Sequence, residues 1–160
     1  MEGVAFILVK ESEVEQLGQL RQKAWSATYR GIYPDEMIDQ FDYAWHKERD
    51  LQRMRNPKFE HYFIQFGGKS VGYLTLKNDE SLILYSLYLL PEVQGRGIGK
   101  QCFAFVLQYC ASHGIQGFCC HCQPDNANVM GFYQHMGGRM IARDEGNAER
   151  WQDTVVFCFQ

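Results

Sequence analysis

The sequence lacks an apolar run long enough to cross a membrane, and it lacks a strong excess of either charge. Its 160 residues carry 16 Lys and Arg against 19 Asp and Glu, a formal net charge of −3. This charge gives no electrostatic case for binding nucleic acid. The N-terminal stretch, residues 1–10, lacks the basic start and long apolar core of a signal peptide. These absences predict a soluble, cytoplasmic protein that binds neither nucleic acid nor membrane.

Internal repeats, linkers and low-complexity segments are also missing. Apolar residues make up 46% of the chain, which is enough for one sizeable core in a chain of this length. The sequence therefore predicts a single domain over residues 1–160.

The chain has six cysteines, which a cytosolic protein keeps reduced and mostly buried as small apolar groups. The run Cys119-Cys120-His121-Cys122 suggests a zinc site. Neighbours in a strand point to opposite faces, however, and the chain has no second ligand pair with C-x2-C spacing. We therefore expect no metal site.

The first part of the chain predicts one strand and two helical regions. Residues 4–9 are rich in β-branched and apolar side chains. Ser12 and Glu15 have the spacing of a capping box for a helix that ends near Gly31. A second helical region follows over residues 34–54, with a break near Phe41-Asp42.

Strands dominate the middle of the chain, and strands alternate with helices toward its end. Residues 61–66, 70–76 and 81–90 form an antiparallel meander whose first turn is Gly67-Gly68. The third strand is so apolar that we expect both its faces to be buried. Further elements are predicted at residues 99–113, 115–122, 126–136, 138–143 and 154–159. The result is an α/β fold of the α+β type, in the order β-α-α-β-β-β-α-β-α-β-β, with a mixed, mostly antiparallel sheet of six to seven strands and about four helices.

A glycine-rich turn joins the third strand of the meander to the next helix. Gly95, Gly97 and Gly99 allow a ligand to approach the backbone closely. The first N–H groups of the helix are unpaired, and its dipole is positive at this end. With the cations of Arg96 and Lys100 at the rim, the turn predicts a phosphate site.

Two familiar phosphate-binding loops do not fit this turn. A P-loop would need glycine at Gln94 and a hydroxyl residue at Gln101, and the dinucleotide fingerprint has another glycine spacing. The pattern Gln94-x-x-Gly97-x-Gly99 instead resembles the pyrophosphate-binding motif of the GNAT superfamily, the acetyl-CoA-dependent N-acetyltransferases. The preceding residues 87–89 and Pro91 resemble that family's central strand.

A second match lies downstream of the first. In the family a helix begins with Asn, and an aromatic or Leu followed by Tyr comes six residues later, then glycine. This chain has Asn126, Phe132-Tyr133 and Gly137-Gly138, with two departures, Val129 in place of alanine and Gly138 in place of an aromatic. The element order is also similar, so the resemblance covers nearly the whole chain. It implies a GNAT-like N-acetyltransferase that uses acetyl-CoA and no metal.

The resemblance implies a role for each matching residue. The backbone of Leu87, Tyr88 and Leu89 pairs with the pantetheine arm, and the N–H of Leu89 serves the oxyanion. Tyr133 is the general acid that reaches the CoA sulfur, although a core aromatic is its simpler interpretation. Asn126 caps its helix and contacts the CoA arm. The pyrophosphate contacts come from Gln94, Gly95, Arg96, Gly97, Ile98, Gly99 and Lys100.

The general base is less specified than the general acid. Some family members carry a glutamate five residues before the helix asparagine, and that position here is His121, a residue type that suits general-base catalysis. A histidine hydrogen-bonded within the sheet is an equal alternative. Asp35, Glu36 or Tyr85 acting through water, or water alone, are further alternatives.

The acceptor site is predicted between the first two helices. Trp25, Tyr29, Tyr33 and Glu36 either form a wall of the acceptor pocket or pack the helices on the core. Asp35, Glu36 and Asp39 in this region either attract a cationic primary amine, a small molecule or a peptide, or simply complement the dipole at the start of a helix. The loop 144–153, with Trp151, closes the pocket or mediates pairing of subunits.

Two function classes follow from these motifs. The first is an acetyltransferase in which the amine attacks the thioester directly in a ternary complex, and Tyr133 and Asn126 favour it. The second is a catalytically silent module that binds or senses acyl-CoA on the same fold. A homodimer is common among proteins that resemble this one and stays an open alternative.

Overall fold

A seven-stranded mixed sheet organises the fold in the computed structural model, which describes residues 3–160 apart from the side chain of Arg150. The strands are β1 Val4–Leu8, β2 Phe59–Phe66, β3 Lys69–Asn78, β4 Leu82–Leu89, β5 Phe118–Cys122, β6 Arg139–Asp144 and β7 Thr154–Phe159. Their order in the sheet is β1-β2-β3-β4-β5-β7-β6, and only β4 and β5 run parallel. The predicted α/β fold and its mostly antiparallel sheet are confirmed.

Five helices cover the sheet in the part of the chain that the structure describes. They are α1 Val14–Tyr29, α2 Asp35–Asp39, α3 Tyr43–Met54, α4 Ile98–His113 and α5 Ala127–His135. The break predicted near residues 41–42 separates α2 from α3, and the Asp42 side chain accepts a hydrogen bond from the Trp45 N–H at 3.0 Å. No helix between residues 3 and 160 combines the length and apolarity needed to cross a membrane. Met1 and Glu2, the first residues of the stretch without signal-peptide features, lie outside the described residues.

The start of α1 differs from its prediction. Ser12 lies within a short 3-10 turn, Glu11–Glu13, and does not cap a helix. Glu13 instead accepts a hydrogen bond from the backbone N–H of Lys10 at 3.0 Å, two residues earlier than the expected box. Which glutamate accepts the backbone hydrogen bond therefore depends on where the preceding strand ends. The local sequence motif did not indicate that end point.

The helices form two layers on opposite faces of the sheet. Phe63 and Tyr73 pack with α1, whereas their neighbours Ile64 and Leu74 pack in the larger core beneath α4 and α5. This follows from the two-residue period of a strand.

A buried ion pair joins α1 to α3 in the first layer. The guanidinium of Arg21 donates to both carboxylate oxygens of Asp50, at 2.6 and 2.9 Å. The two side chains are 8% and 2% exposed. The pair fixes α3 against α1 on the face of the sheet opposite α4.

The apolar sequence of strand β4 suggested that both its faces are buried, and the structure contradicts this. Its pairing with β3 shifts register between Thr75 and Leu76, which leaves Tyr85 as an extra residue opposite them. Tyr85 is 41% exposed. Residues 86–89 are half-buried because β4 parts from β5 there.

Two of the six cysteines form a disulfide, which contradicts the expectation of reduced thiols. Cys119 and Cys158 are directly paired residues of the antiparallel strands β5 and β7, with Cα atoms 4.0 Å apart. Adjacent strand positions hold the two side chains on the same face within reach of each other. The free thiols of Cys102, Cys110, Cys120 and Cys122 are buried, as predicted.

A buried histidine beneath α3 makes stability depend on pH. His61 is 3% exposed, and its Nδ1 is 2.9 Å from Thr75 Oγ1. Burial lowers the pKa of His61 to about 4, so the unfolded chain binds this proton first as pH falls. We expect this group to remove about 3 kcal/mol of unfolding free energy between about pH 6.5 and pH 4.

Urea unfolding at a series of pH values measures this loss. His61→Phe should reduce the slope in that window. An unaltered slope in His61→Phe would contradict the assignment.

Candidate active site

A cleft opens where β4 and β5 separate. The two strands pair only at Leu82–Phe118, Ile83–Cys119 and Leu84–Cys120. Beyond these pairs β4 runs five residues further and β5 two, without pairing to each other. The space between them is a cavity of about 500 Å³. Parallel strands that diverge leave backbone groups unpaired on both sides, so the cleft can accept an extended ligand.

The backbone of β4 presents hydrogen-bonding groups to this cleft. The Leu90 N–H donates to the Val71 carbonyl of β3 at 2.9 Å. Because successive residues of a strand turn their N–H groups to opposite sides, the N–H groups of Leu87 and Leu89 face away from β3 and into the cleft. The Leu89 carbonyl, on the same side, accepts from Gln94 Nε2 at 3.2 Å. The position predicted for the oxyanion donor is therefore in the cleft.

The glycine loop lies at the end of the cleft. Gly95 and Gly97 have φ values of +78° and +76°, in the region that favours glycine, and Gly97 immediately precedes α4. A Cβ on either residue would meet no atom within 4 Å, so the space above the loop is open. Arg96 and Lys100 are exposed beside it. The unpaired N–H groups at the start of α4 and the two cations suit a pyrophosphate.

A close contact explains the third glycine of the loop. A Cβ on Gly99 would lie 3.0 Å from the ring of Phe132 on α5. Gly99 therefore lets α5 approach the first turn of α4. Ile98, which precedes it, is buried in the core and anchors that turn.

Tyr133 reaches the cleft from the side of α4 and α5. It is 6% exposed, and its ring lies 5.9 Å from the ring of Phe103 and 5.7 Å from that of Phe157. Burial raises the pKa of Tyr133 well above 10, and the neighbouring Cys120 thiol adds to the rise. The phenol is therefore neutral at neutral pH and keeps an O–H group that can donate a hydrogen bond.

Asn126 and Gly138 hold α5 in position. Asn126 caps α5, its side chain accepting from the Val129 N–H at 3.4 Å, and it also lines the cleft. At Gly138 a Cβ would lie 2.7 Å from the ring of Phe159 and 2.8 Å from the Tyr133 carbonyl. The Phe159 ring fills the space that an aromatic at position 138 would need, which accounts for that departure from the family pattern.

Two of the candidate bases line the cleft. His121 lies on the exposed face of β5, opposite to the face that carries Cys120 and Cys122, and Tyr85 lies on β4. Asp35 is exposed and paired with Arg30 at 3.3 Å. His121 and Tyr85 are therefore the alternatives that the structure brings to the site.

The predicted acceptor residues divide between two places. Tyr29 lines the cleft, and its hydroxyl forms a short hydrogen bond with that of Tyr88. Burial raises the pKa of both phenols above its ordinary value, so both remain neutral. Tyr33 stacks on Tyr29 with 4.1 Å between ring centroids, and Trp151 packs edge-on against Tyr33 at 5.5 Å. The loop 144–153 thus reaches this aromatic wall.

Trp25 and Glu36 lie elsewhere. Both line a second cavity between α1, α2 and α3, of about 450 Å³, with Phe41, Trp45 and Arg49. Trp25 still supports the wall, with its ring centroid 5.7 Å from that of Tyr29. Among residues 3–160, no cluster of three or more His, Cys, Asp or Glu side chains could hold a metal ion.

Sequence reasoning missed the arginines that contact the cleft wall. Arg49 and Arg53 of α3 both donate to the hydroxyl of Tyr85, at 3.2 and 2.9 Å. The only local signal was their spacing of four residues, which places both on one side of a helix. Their partner is more than 30 residues away in sequence, so no motif joined them.

The element order and the glycine loop beside the cleft agree with the GNAT resemblance of the sequence. The family model described as "Acetyltransferase (GNAT) family" matches residues 15–138. This chain belongs to that family.

Individual relatives are more distant. An uncharacterized N-acetyltransferase from Lactobacillus delbrueckii subsp. lactis is 24% identical over 115 residues, 66% of this chain and 66% of that protein. The structure of PaiA N-acetyltransferase from Thermoplasma acidophilum, in complex with coenzyme A, has a TM-score of 0.77 at 19% identity, covering 97% of this chain and 98% of that one. A chimera of the spermidine N-acetyltransferase SpeG from Vibrio cholerae and hSSAT has a TM-score of 0.74 at 13% identity, covering 97% and 93%. At these identities the two structures share the fold with this chain.

Proposed function

We propose that this chain transfers the acetyl group of acetyl-CoA to a primary amine that attacks the thioester directly in a ternary complex. The observation that carries the proposal is the single cleft between β4 and β5. It joins a pyrophosphate-suited glycine loop, an inward-facing N–H and a buried, neutral phenol. These are the groups that amide formation from a thioester and an amine requires.

Acetyl-CoA would bind along β4. The loop at Gly95 and Gly97 and the start of α4 would hold the pyrophosphate, with Arg96 and Lys100 beside it. The inward groups of Leu87 and the Leu89 carbonyl would pair with the pantetheine amides as an added strand does. Such pairing fixes the thioester next to the Leu89 N–H, which donates to the carbonyl oxygen as negative charge develops there.

The amine must lose a proton before it attacks, because an ammonium has no lone pair. His121 is exposed in the cleft on β5 and carries a ring nitrogen that can accept this proton, directly or through water. Tyr85 is the alternative route through water. Holding the amine and the thioester in contact supplies several kcal/mol of the barrier.

The thiolate of CoA would leave next to the hydroxyl of Tyr133. A thiol has a pKa of about 8.5, well below that of this buried phenol, so complete proton transfer from Tyr133 to sulfur is uphill. A hydrogen bond from the phenol to the sulfur stabilises the thiolate as the C–S bond breaks. The attacking nitrogen, which has already given one proton to the base, loses a second proton as the amide forms, and this proton neutralises the thiolate to the free CoA thiol. Tyr133 therefore acts as a donor in the transition state.

Release of the CoA thiol tests the proposal. The purified chain is incubated with acetyl-CoA and a panel of primary amines, and free thiol is followed beside the N-acetylated product by mass spectrometry. We expect amine-dependent thiol release with one N-acetyl product formed per thiol. Binding of acetyl-CoA without any release above the amine-free rate, across the panel, would instead identify a silent acyl-CoA-binding module.

A further inference from the structure

We infer that the acceptor amine carries an anionic group, which the guanidinium groups of Arg49 and Arg53 bind beside Tyr85. The inference rests on the proposed function, because it places the acceptor in the same cleft. It names a substrate class, a compact amine with a carboxylate or phosphonate-type group, which membership of the family does not specify.

The two arginines converge on one oxygen at the wall of the cleft. Arg49 and Arg53 are one helical turn apart on α3, and an Nη2 of each donates to Tyr85 Oη, at 3.2 and 2.9 Å. Tyr85 stands at the register shift of β4, lines the cleft and is 41% exposed. A guanidinium has five donors, so each has further N–H groups available for an anion.

These cations have no carboxylate partner among the described residues. The ion pairs in that part of the chain use other basic residues, and Asp50, between the two arginines in sequence, is held by Arg21. Arg53 instead lies 4.6 Å from the centre of the Tyr85 ring, and Arg49 lies 4.9 Å from that of Trp45.

A bound anion would offset the electrostatic repulsion between the guanidinium groups of Arg49 and Arg53. Burial lowers the pKa of Arg53, the interaction with Tyr85 raises it in part, and the nearby guanidinium of Arg49 lowers it again, so that the pKa stays below its ordinary value. Two like charges at a half-buried wall without a counter-ion favour a ligand that supplies one.

The position of Tyr85 places such an anion next to the chemistry. Leu84 pairs with Cys120 in the parallel strands, so the residues that follow, Tyr85 and His121, stand side by side where the strands diverge. Neighbouring strands are about 4.8 Å apart. An amine at His121 and an anion at the arginines therefore belong to a compact molecule such as an amino acid.

The acidic residues that suggested a cationic acceptor do not face the cleft. Arg30 pairs with Asp35 at 3.3 Å and with Asp39 at 2.8 Å. Glu36 lines the second cavity, as Arg49 does, but the two form no ion pair. The described lining of the cleft contains Lys100, His121 and His135 but no Asp or Glu. The cleft thus offers no carboxylate to a second cationic group on the acceptor.

Matched acceptors test the inference during turnover. Amino acids are compared with their carboxamides and with the corresponding aminophosphonates. We expect kcat/KM for the better of the two anionic series, amino acids or aminophosphonates, to exceed that for the carboxamides by about 10- to 100-fold. Hydrogen bonds to a charged group usually contribute this much. In the variant Arg49→Gln/Arg53→Gln the ratio should fall to about 1 through KM, with the KM of acetyl-CoA unchanged. Arg55→Gln, an exposed residue paired with Glu11, is the control that keeps the ratio.

A binding comparison separates this inference from the proposed function, because it needs no catalysis. N-acetylglycine and N-acetylglycinamide are titrated by calorimetry into the wild-type chain with CoA present and, separately, with CoA absent. Tighter binding of the acid, lost in the double variant, supports the anion site even if no acetyl transfer occurs. Equal or tighter binding of the amide by the wild type overturns the inference, and so does a preference for the acid that survives in the double variant. The comparison of acid and amide binding to the wild-type chain tests the inference even if the double variant fails to fold.

Discussion

Replacing Tyr133 with phenylalanine should lower kcat by about 100-fold and leave the KM of acetyl-CoA nearly unchanged. The ring packs against Phe103 and Phe157 in the core, and phenylalanine keeps those contacts. Only the hydroxyl is lost, and that donor is used when negative charge reaches the sulfur. Positioned acid–base groups contribute about 10² to 10⁴ in rate, and a donor that does not transfer its proton lies at the lower end. Steady-state kinetics of thiol release measures the change.

The control for this substitution is Tyr109→Phe, on α4. Tyr109 does not line the cleft, and its ring stacks on His113. It should therefore keep the wild-type kcat. A Tyr133→Phe enzyme within about threefold of wild type would show that Tyr133 is a core aromatic and that the thiolate leaves without its help.

Replacing Asp50 with asparagine should cost about 3 to 5 kcal/mol of unfolding free energy. The change leaves the guanidinium of Arg21 buried without its counter-charge, and breaking a buried pair in this way is costly. For a chain of 160 residues this corresponds to a fall in Tm of about 6 to 20 °C. Urea unfolding and thermal melting both report the loss.

Two further variants test whether the loss of unfolding free energy in Asp50→Asn comes from leaving one buried charge unpaired. Asp79→Asn breaks the exposed pair with Lys58, and its cost should stay below about 1 kcal/mol. The double variant Arg21→Met/Asp50→Leu removes both buried charges and should recover much of the loss. An Asp50→Asn chain as stable as wild type would mean that the pair does not hold α3 on α1. Because α3 lies on the face opposite α4, acetyl-CoA affinity should survive the substitution, whereas the KM of the acceptor should rise.

The parts of the site that lie within one short segment could be predicted from the sequence. The loop from Gln94 to Lys100 requires glycines where the backbone turns with positive φ, and this requirement is written in consecutive residues. Asn126 caps its helix for an equally local reason. Tyr133 was found by its spacing from Asn126. Its role as a donor remains a prediction.

The parts that depend on contacts between distant segments could not be predicted. The pairing of Cys119 with Cys158 requires the register of β5 against β7 across 39 residues. The contact of Arg53 with Tyr85 requires the packing of α3 on the sheet and the register shift in β4. Glu36 illustrates the converse, since a residue near the predicted acceptor wall in sequence points to a different cavity.

Thermal melting with acetyl-CoA is the most direct test of the central claim, that the cleft between β4 and β5 is an acetyl-CoA site. At about 100 times its Kd, a ligand that binds only the folded chain stabilises it by about 2.7 kcal/mol, which is several degrees for a chain of this size. We predict that acetyl-CoA raises Tm by this amount, while NADH and ATP at the same concentration do not. No rise with acetyl-CoA, or a larger rise with NADH or ATP, would contradict the account.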